Sequence, residues 1–277
     1  MKKRKHSLIT QRIIICLGIL FLLLTPVPIS ILTQEEKPHK SSLKPASYVT
    51  QKTRSNMIAI IIDDIGYDTA PIRSIVQMGI PVTFSILPNC PYSREAVEKA
   101  ALNGLETILH LPMEPHGYPK KNPGKGALLT GMTKEEIIVT LEEHIDTLPG
   151  ILGANNHMGS LFMESEEKLT IVFKELKRKN LFFVDSYTTS NSMGRAVAKK
   201  VGLVYASRDV FIDNSGQYRD TFKILADLIK KREQWHTLIV IGHPYESTLK
   251  AVRETIPLFQ SKGIDIVPLS VLVKQIS

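Results

Sequence analysis

The chain has 277 residues and a formal charge of +8, but residues 1–56 hold ten Lys or Arg against two Glu, which is the whole excess. The remaining 25 basic and 25 acidic residues balance over 57–277, so the body lacks the surplus of a nucleic-acid binder and no nucleic-acid partner is expected. Cys16 and Cys90 are the only cysteines, which excludes an internal disulfide in the body.

The chain opens MKKRKHSLITQR and then runs uncharged from Ile13 to Thr33, with its apolar centre at Ile13–Leu24. Basic residues ahead of a short apolar segment are the layout of an export signal. The uncharged stretch is also long enough to cross ~30 Å of hydrocarbon. Residues 1–33 therefore read as a signal peptide or signal anchor. The rest of the chain is expected outside the cytoplasm (periplasmic, extracytoplasmic or secreted), touching a membrane only through this segment. Residues 34–56 are polar and aperiodic and read as a flexible linker. Residues 57–277 form one domain, long enough to bury most of its apolar surface.

That domain begins with MIAIIIDDIGY, Met57–Tyr67. Six apolar residues in a row, four of them Ile, read as a strand covered on both faces, as in a parallel sheet. The strand delivers Asp63 and Asp64 to its carboxyl end, where parallel α/β folds gather their chemistry. Two such carboxylates repel, and a neighbouring cation is the usual reason a pair persists. A solvated strand end with one Asp capping a helix would explain the pair alone. Three histidines, however, close later apolar runs: His110 after Leu105–Leu109, His157 after Ile151–Asn156 and His243 after Thr237–Gly242. Asp185 ends Leu181–Val184 in the same way. Imidazole and carboxylate together are the ligand set of a zinc-type divalent cation.

Candidate strands fall at 57–62, 81–87, 105–110, 151–155, 181–185, 203–206, 237–242 and 264–267. Helical patterns lie between them at 70–78, 93–103, 133–147, 165–179, 191–200, 219–232 and 247–262. The pattern at 133–147 is the clearest, with Thr133 as cap and Glu136 three residues on. This alternation predicts an α/β fold with a mostly parallel sheet, barrel-like or doubly wound, and the spacing favours an irregular (β/α) barrel of seven to eight strands. The long Pro- and Gly-rich stretch His110–Met132 reads as a rim or lid. Cys90, among Pro88, Asn89 and Pro91, reads as structural.

IIDDIG, HLPMEP (110–115), NNHMGS (155–160), VDS (184–186) and IGHP (241–244) occur in this order. With them the chain resembles the divergent branch of the polysaccharide deacetylases, the NodB-like carbohydrate esterases, over roughly residues 55–275. The resemblance implies a NodB-like barrel and a metal-dependent hydrolase that removes acetyl groups from a carbohydrate. It implies Asp63 as general base, Asp64 and His110 as metal ligands and His243 as general acid. The second motif ordinarily carries another His four residues after the first, and here that position is Glu114. His157 is inferred to replace it as third ligand, with Glu114 as the alternative. Asn156, Asp185 and Arg208 are candidates for supporting roles: Asp185 by orienting a His, Arg208 more readily in a surface salt bridge than in substrate binding. Two other classes stay open, a non-catalytic glycan-binding or envelope-organising protein on the same fold, and another metal-dependent hydrolase such as a phosphoesterase. The missing basic or Gly-rich phosphate cradle counts against the latter.

Overall fold

The structure is a computed structural model that describes residues 55–276; the signal or anchor segment and linker residues 34–54 lie outside them. Nine strands are present: β1 (Asn56–Ile65), β2 (Thr83–Ile86), β3 (Thr107–Met113), β4 (Gly153–Met158), β5 (Phe182–Asp185), β6 (Tyr205–Ser207), β7 (Val210–Phe211), β8 (Thr237–Gly242) and β9 (Ile264–Ile266). Eight helices accompany them: α1 (Ala70–Val76), α2 (Ser93–Leu102), α3 (Lys134–Thr147), α4 (Glu166–Arg178), α5 (Gly194–Val201), α6 (Tyr218–Lys230), α7 (Glu246–Ser261) and α8 (Leu269–Ile276). The α3 cap forms as its sequence predicts: Thr133 Oγ1 accepts from the Glu136 amide, and Glu136 Oε2 accepts from the Thr133 amide. Among the described residues no helix is long and apolar enough to cross a membrane.

All strand pairs are parallel, in the order β6-β5-β4-β3-β2-β1-β8-β7 with β9 beside β1. The two ends of this order are consecutive in the chain. Between them the Arg208 amide donates to Asp185 O and the Asp209 amide to Ile239 O, both at 2.9 Å. One extended segment thus leans first on β5 and then on β8, and the sheet curls into the expected barrel-like, NodB-type fold. The two-residue β7 was not anticipated, nor was α8.

Strand alternation sorts the side chains. Ile58, Ile60 and Ile62 of β1 face the helices and join Phe84, Leu109, Leu111, Phe173 and Phe183 in the main core. Ala59 and Ile61 face the interior with Ile108, Phe182, Val184, Ile239 and Ile241. Leu269, Leu272 and Val273 of α8 belong to this inner cluster, so α8 plugs the interior from below. The upper, carboxyl-end half of the interior is left to polar residues.

Candidate metal and active site

On β1 the inward series Ala59, Ile61 continues to Asp63, which is 3% exposed. Strict alternation would turn Asp64 toward the helices. Instead its φ is +56° and the pairing with β2 slips between Ile62 and Ile65, so the next apolar side chain, Ile65, returns to the helix-facing core. Gly66 comes next with φ +133°, and a Cβ there would lie 2.9 Å from Ser93 Oγ and 3.0 Å from Cys90 Cβ. The glycine after the acidic pair is therefore required by packing as well as by backbone. Cys90, half-buried against this turn, has the structural place read from its sequence.

On β3 and β4 the register sets His110 beside Asn155 and Pro112 beside His157. Both histidines lie within strands, because β3 continues to Met113 and β4 to Met158. Their rings converge on Asp64: His110 Nε2 lies 3.1 Å and His157 Nδ1 3.0 Å from Asp64 Oδ1, and the two nitrogens are 3.1 Å apart. Asp64 Oδ1 is buried and accepts no well-aimed hydrogen bond. Three donor atoms at this spacing, two nitrogens and one orphaned carboxylate oxygen, suit a single cation with bonds of about 2.1 Å. Electrostatics point the same way. Burial opposes a charge on His110, yet the Asp63 and Asp64 carboxylates outweigh it and push its pKa up to about 9. The two carboxylates thus favour positive charge at this point, whether a proton on His110 or a cation between the three atoms.

Asn155 connects the cluster, and sequence reasoning missed it in favour of Asn156. Its Nδ2 donates to Asp63 Oδ1 at 2.8 Å, which fixes its other end as acceptor. That oxygen accepts from Ser85 Oγ at 2.6 Å and from His110 Nδ1 at 2.8 Å. His110 is thereby held with Nε2 toward Asp64, the outer-shell bond that orients a metal-binding imidazole. The two-residue period would have found it, since Asn155 shares a strand face with His157. Asn156 points the other way, accepting from the Ser186 amide and donating to Met158 O and Thr188 Oγ1. It braces the adjoining loops.

His243 approaches from β8, its Nε2 3.7 Å from Asp64 Oδ2. Its Nδ1 faces Asp213 Oδ1 at 3.3 Å, while Asp213 Oδ2 accepts from the His243 amide and from Thr248 Oγ1. Burial works against a proton on His243, but the Asp213 hydrogen bond and the carboxylates of Asp64, Asp213 and Asp63 outweigh it, and its pKa lies above the usual imidazole value. Asp213, just beyond β7, is the partner that favours a proton on His243.

Three candidates sit elsewhere than expected. Glu114 is not among the converging donors: its Oε2 accepts from Thr130 N and Oγ1, both at 2.6 Å, and so closes the long loop after β3. Asp185 orients no histidine. It faces the helix side of β5 and accepts from the Tyr187 amide, Ser192 Oγ and Tyr205 OH. Arg208 forms no salt bridge among the described residues; it donates to Ser186 O and Tyr187 O and lies over the Phe211 ring.

Residues 60–273 match the divergent polysaccharide deacetylase family. The uncharacterized protein YibQ of Escherichia coli K12 is 31% identical over 202 residues, 72% of this chain and 62% of the relative, so the chain spans less than two thirds of that relative's length. Among solved structures, the uncharacterized protein ATU2773 from Agrobacterium tumefaciens C58 superposes with a TM-score of 0.75 at 23% identity, over 80% of this chain and 90% of that one. T48 deacetylase, solved with substrate, superposes with a TM-score of 0.51 at 14% identity, over 80% of this chain and 92% of that one. These likenesses carry the fold, and the family match spans nearly all of the described domain. The chain belongs to the divergent polysaccharide deacetylase family.

Proposed function

We propose that the protein is an exported, metal-dependent hydrolase that removes N- or O-acetyl groups from an envelope glycan, with Asp64, His110 and His157 holding one divalent cation, zinc by its donor set. The observation that carries the reading is the convergence of these three donors beside a buried carboxylate, Asp63, and a carboxylate-backed imidazole, His243. When bound, a divalent cation lowers the pKa of water and offsets negative charge developing on an acyl oxygen. The chain's own groups do the rest. Asp63, held by Asn155 Nδ2, takes the proton of the attacking water. His243, with Nδ1 engaged by Asp213, gives the Nε2 proton to the leaving amine or alkoxide as the C–N or C–O bond breaks. Acetate and the freed sugar group are the products. The acid's role needs a proton on His243, which the Asp213 carboxylate favours.

Metal analysis and acetate release on N-acetylated glycan oligomers, with zinc, cobalt or manganese supplied, test this together. Asp63→Asn should keep the metal and lose about 10²–10⁴-fold in rate. His157→Ala should lose the metal, and Glu114→Ala should keep it. Full metal in His157→Ala would overturn the ligand assignment. Tight oligomer binding by wild type without acetate release under any metal would replace the enzyme with a glycan-binding protein.

A further inference from the structure

The end of the domain opposite the candidate site, where the strands begin, carries a surface of its own. From the last turn of each helix to the strand it feeds, in the seven stretches from α1–β2 to α7–β9, stand eleven Lys or Arg against five Asp or Glu, although residues 57–277 as a whole are balanced. Four of the five acids are engaged: Glu106 by the Ser270 amide of α8, Glu175 by Arg178, Asp227 by Lys230 and Glu233 by Arg232. Lys99, Lys199, Lys231 and Lys262 are exposed on the same stretches and form no ion pair among the described residues. Cations in a last turn answer the helix dipole, which explains part of the charge. It does not explain the apolar side chains among them.

Among the described residues, five of the six exposed large aliphatic side chains lie at this end. Leu102 and Leu258 fall in the last turns of α2 and α7, Leu152 and Val204 stand just ahead of β4 and β6, and Val271 lies on α8 with Lys274 one turn on. A shallow groove of about 420 Å³, lined by Pro149, Ile151, Leu181 and Lys179, continues the apolar area beside Leu152. Trp235, the only tryptophan of the chain, is half-buried just ahead of β8 and follows the basic run Lys230–Arg232. Exposed aliphatics taken singly need no explanation. Five at one end of a barrel, among unpaired lysines and near a tryptophan, have the composition of a surface that lies in a lipid interface. The aliphatic groups enter the acyl boundary while lysine heads reach the phosphates.

The rest of the chain joins at the same end. β1 starts at Asn56, whose side-chain amide donates to Arg232 O and Trp235 O. The polar stretch 34–54, and through it the uncharged run 13–33, is therefore attached beside the Lys230–Trp235 segment. A tether of this kind gives the second contact an effective concentration of about millimolar, so a surface too weak to hold alone suffices. Resting on the export reading with residues 1–33 as an anchor, we infer that this end of the domain docks on an anionic phospholipid surface, a second membrane contact beyond the N-terminal segment. The candidate site then opens away from the bilayer. Eight residues of β1, from Asn56 to Asp64, set it roughly 25 Å above the docking face at ~3.3 Å per residue.

Full-length protein inserted into vesicles through its N-terminal segment tests this, with a quencher carried on the lipids near their headgroups and Trp235 emission as the readout. Trp235 should be quenched in phosphatidylglycerol vesicles. In phosphatidylcholine vesicles, or at high salt, the docked-to-undocked ratio should fall at least about tenfold. Lys231→Glu with Lys262→Glu, both exposed and unpaired, should lower it as far in phosphatidylglycerol. Val271→Asp should lower it through the apolar contact, and an unchanged Tm shows that each variant is folded. Quenching that ignores lipid charge, salt and both variants overturns the docking surface, as does a chain that sediments apart from the vesicles. Concentration-dependent cross-links without charge-dependent quenching make this end a contact between copies of the chain and overturn it equally. Acetate release enters none of these readouts, so the docking and the deacetylase reading fail separately.

Discussion

At the scale of single residues, Asn155 and Asp213 decide what the two candidate acid–base groups can do. Placing a carboxylate at Asn155 sets a like charge against the Asp63 carboxylate. Asn155→Asp should therefore move the acid limb of the rate–pH profile to higher pH, measured as kcat/KM for acetate release. Asp213 helps raise the pKa of His243, so Asp213→Asn should lower it and move the alkaline limb to lower pH, with about tenfold or more lost from the plateau. A change at only one limb in each variant is the check on the assignment. Asp63, Asp64, His110, His157 and His243 were legible from the sequence because each interrupts or ends an apolar run, and a strand's end is visible without knowing its neighbours. The positive φ of Asp64 was not, since it answers to the slip against β2 and to the packing of Gly66 on Ser93. Asp213, with Arg208 in ASRDVFID, could be placed at the same end of the fold, but its pairing with His243, a helix and a strand further along the chain, could not.

At the scale of elements, the helices and apolar strands were read correctly in order and type, and only β7 and α8 were lost. The segment LSVLVKQI of α8 is only eight residues, barely two turns, too short for its period to mark it. β7 is two residues defined wholly by pairing with Val240 and Ile241. β3 runs past its read end because Pro112 gives up no bond in this sheet; its carbonyl accepts from the Leu128 amide. The α8 plug makes a stability prediction. Leu272 is fully buried in the inner cluster, and Leu272→Ala should cost about 2–5 kcal/mol in urea unfolding. A second concerns the seam between α3 and the long loop, where His144 Nε2 donates to Gly126 O and no room exists for a Cβ on Gly126. Burial holds the His144 pKa below the ordinary imidazole value. The unfolded chain then takes up a proton near pH ~6.5 that the fold refuses, so stability falls as pH drops through that value. His144→Gln, which can still donate to Gly126 O, should flatten the fall between pH ~7.5 and ~5.5, as seen in urea midpoints.

At the scale of the whole molecule, the charge asymmetry of the sequence yields a placement to be measured. A basic, then uncharged, start ahead of a neutral domain should carry that domain across the cytoplasmic membrane, so a reporter fused after Ser277 should be active only in an exported position. Reporter activity in the cytoplasm would remove export from the proposal. The topology also carries a consequence in time. Along one edge β1 meets β8, Met57 beside Thr237; along the other it meets β9 at its start and β2 at its end. The strand that bears both aspartates is synthesised first among the nine, yet it stays half-clothed until residues near 237 and 264 exist. Such distant pairings form late and slowly. A chain emerging from its N-terminus thus spends most of its synthesis with the acidic strand open along one side, and His243, just past β8, is the last of the site's groups to arrive.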